Sequence, residues 1–291
     1  MKTKIIAFAG GKGCGKTTSM NFLHGYQLRA YNIIDDFGIS NSGSLFVKTE
    51  IEQDGKTEIA DTYLDVNRQD LEFIEWCMYN VWPFVKKYSF ADPLKQMAIS
   101  LFGLKHEQVY GTEEHKKQVV SRLRWENMPG VISESDAFHL ENGGHLDFTV
   151  HDPGPMTVRD FLQYFGTDIC RKIREDIWVN RCIEDIKAEE PLLAIIDDCR
   201  FLNEIEGIQA VGGKVIGLNR SVYGKDTHES ETEIKKHWDK LDYVIDNNDM
   251  SIHETCKEII NAVGHFGWLQ EAIRSNSKDP TKRKIHTIKE D

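Results

Sequence analysis

Gly10, Gly15, Lys16 and Thr17 occupy the fixed positions of the spacing G-x-x-x-x-G-K-[ST], and no other feature of the chain restricts its fold as strongly. A loop of this kind needs a strand before it and a helix after it. Both are legible. Residues 3–9, Thr-Lys-Ile-Ile-Ala-Phe-Ala, form a short apolar run that reads as a buried strand of a parallel sheet. From Thr17 to about Leu28 the helical recurrence of Met20, Leu23 and His24 is interrupted only by Gly25. The glycines let successive N–H groups turn toward an anion, and the helix start adds the positive end of its dipole. Lys16 is then placed to reach the β and γ phosphates of a nucleoside triphosphate, and the Thr17 hydroxyl to ligate magnesium. ATP and Mg²⁺ are the cofactors expected, held by Gly10, Gly11, Lys12, Gly13, Cys14, Gly15, Lys16, Thr17 and Thr18. Cys14 reads as a small residue of the loop rather than a nucleophile.

The rest of the chain alternates short apolar runs with helical patterns. Residues 31–85 read as an insertion containing a hairpin, with β-like pieces at Leu45–Val47 and Thr57–Ile59 around Asp54-Gly55. A helix is expected over Asp70–Tyr79 and a strand over Val85–Phe90, followed by a helix carrying Met97, Leu101 and Phe102. Residues 105–155 are polar and turn-rich, as in a surface segment or flap. Thr157-x-x-Asp160 resembles a capping box opening a helix with Val158, Phe161, Leu162 and Phe165 on one face. A further helical pattern runs from Ile169 through Ile173 and Ile177 to Ile186. Strands are then expected at Leu192–Ile196, Val215–Leu218 and Tyr243–Ile245, with helices over Glu204–Ala210 and Thr255–Val263. The alternation specifies an α/β fold with a mainly parallel sheet. One elaborated domain over residues 1–270 is expected, with a polar tail over 271–291.

Composition narrows the function classes. A net charge of −11 opposes general affinity for nucleic-acid backbones. No apolar run is long enough to cross a bilayer, and the stretch before Gly10 lacks the length and cleavage site of a signal peptide. The six cysteines form no C-x-x-C pair, so a reducing compartment fits better than a disulfide framework or a zinc site. His139, His145 and His151 have no recognised ligand spacing and read as surface residues.

Phosphoryl transfer needs alignment and positive charge around the moving group, so arginines near acids are the candidates. Arg171 and Arg174 are three apart, which makes them neighbours on a helix or an ordinary solvated basic face. Asp197-Asp198-Cys199-Arg200 is more pointed, because ligands of open parallel sheets sit beyond the carboxyl ends of the strands. Trp178 and Phe165 fit core packing as well as a wall against a base.

The glycine loop resembles, together with five further blocks, the phage deoxynucleoside monophosphate kinases, including the T-even type. The blocks are Phe90-Ala91-Asp92-Pro93-Leu94-Lys95, Val158-Arg159-x-x-x-Gln163-x-x-Gly166-Thr167-Asp168, Trp178-Val179, Asp198-x-Arg200-x-x-x-Glu204 and Asp226-Thr227-His228-x-x-Glu231. They run in order up to about residue 263, with residues 26–85 largely outside the resemblance. It implies a three-layer P-loop kinase fold and transfer of phosphate from ATP to a deoxynucleoside monophosphate for viral DNA synthesis in the host cytoplasm. Small molecules would be the partners, without nucleic acid or membrane, and a homodimer stays open. Lys16, Arg159, Arg200 and Asp198 would be catalytic. Leu94, Lys95, Lys116, Arg159, Gly166, Thr167, Arg171, Trp178, Asp198, Arg200, Glu204 and Thr227 would bind the acceptor. Two departures stand out: Gly13 where the family loop often carries Arg, and Lys116 where it carries Arg in the middle segment. Two other readings of the loop remain, a kinase for another small phosphorylated acceptor and a nucleotide-dependent switch or ATPase without one.

Overall fold

Ile6, Ala7, Phe8 and Ala9 are shielded completely from solvent, which explains why a run with almost no polar side chain forms the central strand of a sheet. The computed structural model describes residues 2–53, 56–68, 70–134, 149–220, 234–268 and 286–288. In chain order the strands are β1 (Lys4–Ala9), β2 (Phe37–Ser40), β3 (Leu45–Gln53), β4 (Lys56–Tyr63), β5 (Val85–Tyr88), β6 (Val119–Arg124), β7 (Val131–Ile132), β8 (Thr149–Val150), β9 (Pro155–Thr157), β10 (Leu193–Cys199), β11 (Lys214–Leu218), β12 (Tyr243–Ile245) and β13 (His286–Ile288). Contacts divide the chain, read from sequence as one elaborated domain, into two compact units. The first holds residues 1–90 and 179–291, the second residues 91–178.

The first unit is built on a five-stranded sheet in the order β12, β11, β1, β10, β5, with every neighbour parallel. The chain leaves β1 for the far edge at β5 and returns through β10, so the strand order reverses beside β1. In open α/β sheets ligands bind at that reversal, beyond the carboxyl ends of the strands. The register slips between β1 and β10: Ala7 lies opposite Ile196, yet Ala9 lies opposite Cys199. Two residues, Asp197 and Asp198, therefore face one residue of β1. Such an irregularity re-aims side chains at a strand end.

The helix Lys16–Ala30 is buried almost all round. A helix of that kind must be covered on both sides. The parallel sheet covers one side, and β2 and β3 cover the other as part of an antiparallel meander with β4, with β13 parallel to β2 at its edge. Gly25 makes this possible, since a Cβ there would stand 2.5 Å from the Phe37 ring and 2.7 Å from Leu45 Cδ1. Phe22, Leu28, Phe37, Ile39 and Leu45 consequently share one core with Phe8 and Ile195. The hairpin expected around residues 45–59 is present as β3 and β4, while its turn at Asp54-Gly55 lies outside the described residues. Three residues of the polar tail, 286–288, form β13.

The second unit has its own core of Ala98, Leu104, Val109, Val120, Leu123, Met156, Val158, Phe161 and Tyr164. Residues 105–155 are accordingly not surface throughout, as their polarity suggests, because β6 pairs with β9 and turns Val120 and Leu123 inward. His139 and His145 lie outside the described residues. Thr157 closes the expected capping box: its hydroxyl accepts from Asp160 N–H and its own N–H donates to Asp160 Oδ2, each at 3.1 Å. The helix it opens, Val158–Gln163, widens into a π segment over Tyr164–Arg171. The continuous helix read from Ile169 to Ile186 is also interrupted: Arg174 pairs with Asp176 at 2.6 Å, and the next helix is Ile177–Glu189.

Candidate functional site

The phosphate-type loop joins β1 to the Lys16–Ala30 helix through three left-handed glycines, Gly10 (φ 147°), Gly13 (φ 75°) and Gly15 (φ 102°). Gly10 has a steric reason as well: a Cβ would land 2.5 Å from the Leu218 carbonyl oxygen and 2.7 Å from Cys14 Sγ. Gly15 occupies the helix N-cap and supplies no side-chain cap, so the first-turn N–H groups receive no side-chain acceptor from it. Lys16 Nζ donates to the carbonyl oxygens of Gly10 and Gly11, both at 2.6 Å, and lies 3.8 Å from Cys14 Sγ. The ammonium group is thus folded over the loop. Lys12, Gly13 and Thr17 lie on its exposed side. From behind, the buried Asn247 amide donates to the Cys14 carbonyl at 2.9 Å.

Near the end of β10, just before Cys199, the two aspartates part. Asp197 Oδ2 accepts from the Thr17 hydroxyl at 3.3 Å. Asp198 instead accepts from Ser89 Oγ at 2.6 Å and from the Phe90 N–H at 3.1 Å, tying β10 to the chain leaving β5. Glu204, almost fully buried, accepts at one oxygen from the N–H groups of Arg200 (2.7 Å) and Phe201 (3.1 Å). It holds the turn that carries Arg200. Burial pushes the Cys199 thiol well above its ordinary pKa, so it stays protonated between these groups. Glycine loop, Thr17, Asp198, Arg200 and Glu204 therefore belong to one unit. Asp197, part of the stretch singled out in the sequence but not among the site residues expected there, is the acid beside Thr17.

Apart from Thr227, the remaining expected residues lie in the second unit. Leu94 packs against Gly166, where a Cβ would stand 2.7 Å from Leu94 Cδ2. Trp178 is buried and its Nε1 donates to the Gly166 carbonyl at 3.2 Å. Gly166 and the exposed Thr167 fall inside the π segment, and Arg171 ends it; helices widened in this way are frequent at functional sites. Lys95 Nζ lies 3.5 Å from Asp92 Oδ1 and 4.6 Å from the centroid of Tyr110. Burial and Asp92 raise the Tyr110 pKa, so that ring stays uncharged beneath the ammonium. Arg159 pairs with Glu113, at the start of the short Glu113–Lys116 helix that carries Lys116. Thr227 lies outside the described residues.

Residues 115–259 match the deoxynucleotide monophosphate kinase family. A protein of Acanthamoeba polyphaga mimivirus that carries the same kinase assignment is 31% identical to this chain over 193 residues, covering 62% of this chain and 83% of its own length. The chain belongs to the deoxynucleotide monophosphate kinase family. Membership makes it a phosphotransferase with a nucleotide kinase role. The family match starts after the glycine loop, so the loop itself is an observation separate from it. The parallel sheet and the strand reversal beside β1 agree with the P-loop kinase fold expected. Among the described residues no helix is long and apolar enough to cross a membrane.

Proposed function

We propose that this kinase transfers the terminal phosphoryl group of magnesium-bound ATP to a deoxynucleoside 5′-monophosphate, giving the diphosphate and ADP, as a step of phage DNA-precursor synthesis in the host cytoplasm. The carrying observation is the meeting of the Thr17 hydroxyl and the Asp197 carboxylate at a helix start with no side-chain cap, next to a glycine loop over which the Lys16 ammonium is folded.

Magnesium fits this donor set. Thr17 and Asp197 offer two oxygen groups, and among the described residues no cluster of three His, Cys, Asp or Glu side chains could form a protein cage. Magnesium keeps several waters and draws its other ligands from substrate phosphates. When bound, it would neutralise charge on the phosphate oxygens. The chain's own groups supply the rest. First-turn N–H groups donate to the polyphosphate, and Lys16 exchanges its two loop carbonyls for phosphate oxygens, so its desolvation has already been offset within the loop. Arg200, on a turn fixed by Glu204, adds a planar charge suited to phosphate.

On the acceptor side the reading uses Leu94, Lys95, Lys116, Arg159, Gly166, Thr167, Arg171 and Trp178, together with Asp198, Arg200, Glu204 and Thr227. Arg159 would trade the Glu113 carboxylate for the acceptor phosphate, a like-for-like exchange of anions. Trp178 and Leu94, both in contact with Gly166, would supply an apolar wall for a base. No general base is required, since a monophosphate already presents an ionised oxygen. The acidic balance of −11 supports small-molecule substrates rather than nucleic acid as partners.

The test is ATP with magnesium and a panel of deoxynucleoside monophosphates, followed by measurement of diphosphate. Diphosphate formation that depends on one or more of these acceptors is expected. ATP hydrolysis indifferent to acceptor supports the switch reading instead, and turnover confined to another phosphorylated compound replaces the acceptor class.

A further inference from the structure

The segment that looked extra in the sequence reaches the catalytic end of the first unit. After β4 the chain turns at Asp65, whose Oδ1 accepts from the backbone N–H of Asn67 at 2.9 Å and from its Nδ2 at 3.2 Å. That pair of bonds fixes the Asn67 amide with its oxygen turned to Lys87, and Lys87 Nζ donates to it at 2.6 Å. The same ammonium stands 3.6 Å from Asp197 Oδ1, beyond hydrogen-bond length, while the other oxygen of Asp197 accepts from Thr17. Lys87 and Asp197 are both largely shielded, with side-chain exposures of 21% and 10%, so their attraction is weakly screened. His24 lies buried near Lys87 and its pKa is lowered to about 3, first by burial and then by that lysine, so it adds no charge of its own.

We propose that Lys87 is a positioning residue for the metal nucleotide: Asn67 holds its ammonium short of a hydrogen bond with Asp197, and that stand-off sets how strongly Asp197 attracts magnesium. The inference rests on the reading of Asp197 as the acid facing the metal. Lys87 and magnesium compete for the Asp197 carboxylate, and Asn67 competes with that carboxylate for Lys87. With Asn67 in place Lys87 is held away from Asp197 Oδ1, and Asp197 Oδ2 faces Thr17. Without it, Lys87 closes on Asp197 and must be displaced before the carboxylate can serve the metal. Without Lys87, the carboxylate has lost a cationic neighbour and attracts magnesium more strongly.

The experiment titrates free Mg²⁺ against ATP binding, followed by calorimetry without acceptor, in the wild-type chain, Asn67→Ala, Lys87→Met and the double variant. Asn67 is exposed, so its truncation leaves the core untouched. The expected result is a half-maximal Mg²⁺ concentration raised about fivefold in Asn67→Ala and lowered by a similar factor in Lys87→Met, the size of one modest ion-pair contribution. The double variant should behave as Lys87→Met, because Asn67 acts through the lysine. A merely structural role would shift both single variants the same way and add in the double. Unchanged or parallel shifts in folded variants, with a wild type that needs magnesium, overturn the inference alone. Wild-type ATP binding indifferent to magnesium overturns the reading of Asp197 and this inference with it.

Discussion

Thr17 Oγ1 and Asp197 Oδ2 lie 3.3 Å apart although 180 residues separate them in the chain. β1 and β10 are adjacent parallel strands, and the slip in their register turns the first aspartate of the pair toward the glycine loop. Asp197→Asn keeps the size and the hydrogen-bonding oxygen but removes the charge. Turnover should fall by roughly 10²-fold, comparable to losing one electrostatic stabiliser, with little change in melting temperature. Steady-state kinetics at saturating magnesium, alongside thermal unfolding, check both halves.

Asp198 predicts a loss of stability that Asp197 does not. Its two oxygens accept from Ser89 Oγ and the Phe90 N–H in a partly buried place, so Asp198→Ala removes both of these hydrogen bonds. A loss of about 1–3 kcal/mol in urea unfolding is expected. Asp198→Asn retains an acceptor and should recover part of it. A melting curve unchanged in the alanine variant contradicts this account of the strand tie.

Arg200 should matter to the transferred group more than to the donor. Arg200→Ala is expected to lower kcat by roughly 10²-fold or more while the ATP dissociation constant stays within about twofold. Glu204→Gln, which weakens the grip on the Arg200 and Phe201 N–H groups, should produce a smaller effect of the same kind. Loss of ATP affinity in step with kcat would place Arg200 on the donor instead.

His24 makes stability depend on pH in a defined direction. Burial lowers its pKa to about 3 in the folded chain, against about 6.5 in an unfolded one, so the unfolded state binds the extra proton. Stability from this residue is fully present above pH 6.5 and is lost as pH falls toward 3, by up to about 1.4 kcal/mol per pH unit. His24→Leu should flatten the wild-type decline between pH 6.5 and 5, measured as urea midpoints. Parallel declines in the two proteins would show that carboxylates elsewhere cause it.

The glycine loop was legible because everything it needs is local: β1, the turn and the helix follow one another within thirty residues. Thr157 and Asp160 were legible for the same reason. Which of two adjacent aspartates faces Thr17 was not, since a register slip between distant strands decides it. Gly25 shows in the sequence only as an interruption of the helical pattern, and its reason lies in Phe37 and Leu45, which pack where a side chain would be. The π segment at Tyr164–Arg171 has ordinary helical periodicity, so its wider turn leaves no mark in the pattern. Lys87 and Asn67 carry no motif and meet only because β5 lies beside β10 and the inserted hairpin ends next to it.

The central claim is that the Gly10–Thr18 loop, with Lys16, Thr17 and Asp197, holds a magnesium nucleotide. Calorimetric titration of the folded chain with ATP, in the presence and absence of Mg²⁺, tests it most directly. Saturable one-site binding that strengthens with magnesium and is lost in Lys16→Met is expected. Absence of a binding signal at millimolar magnesium ATP contradicts it.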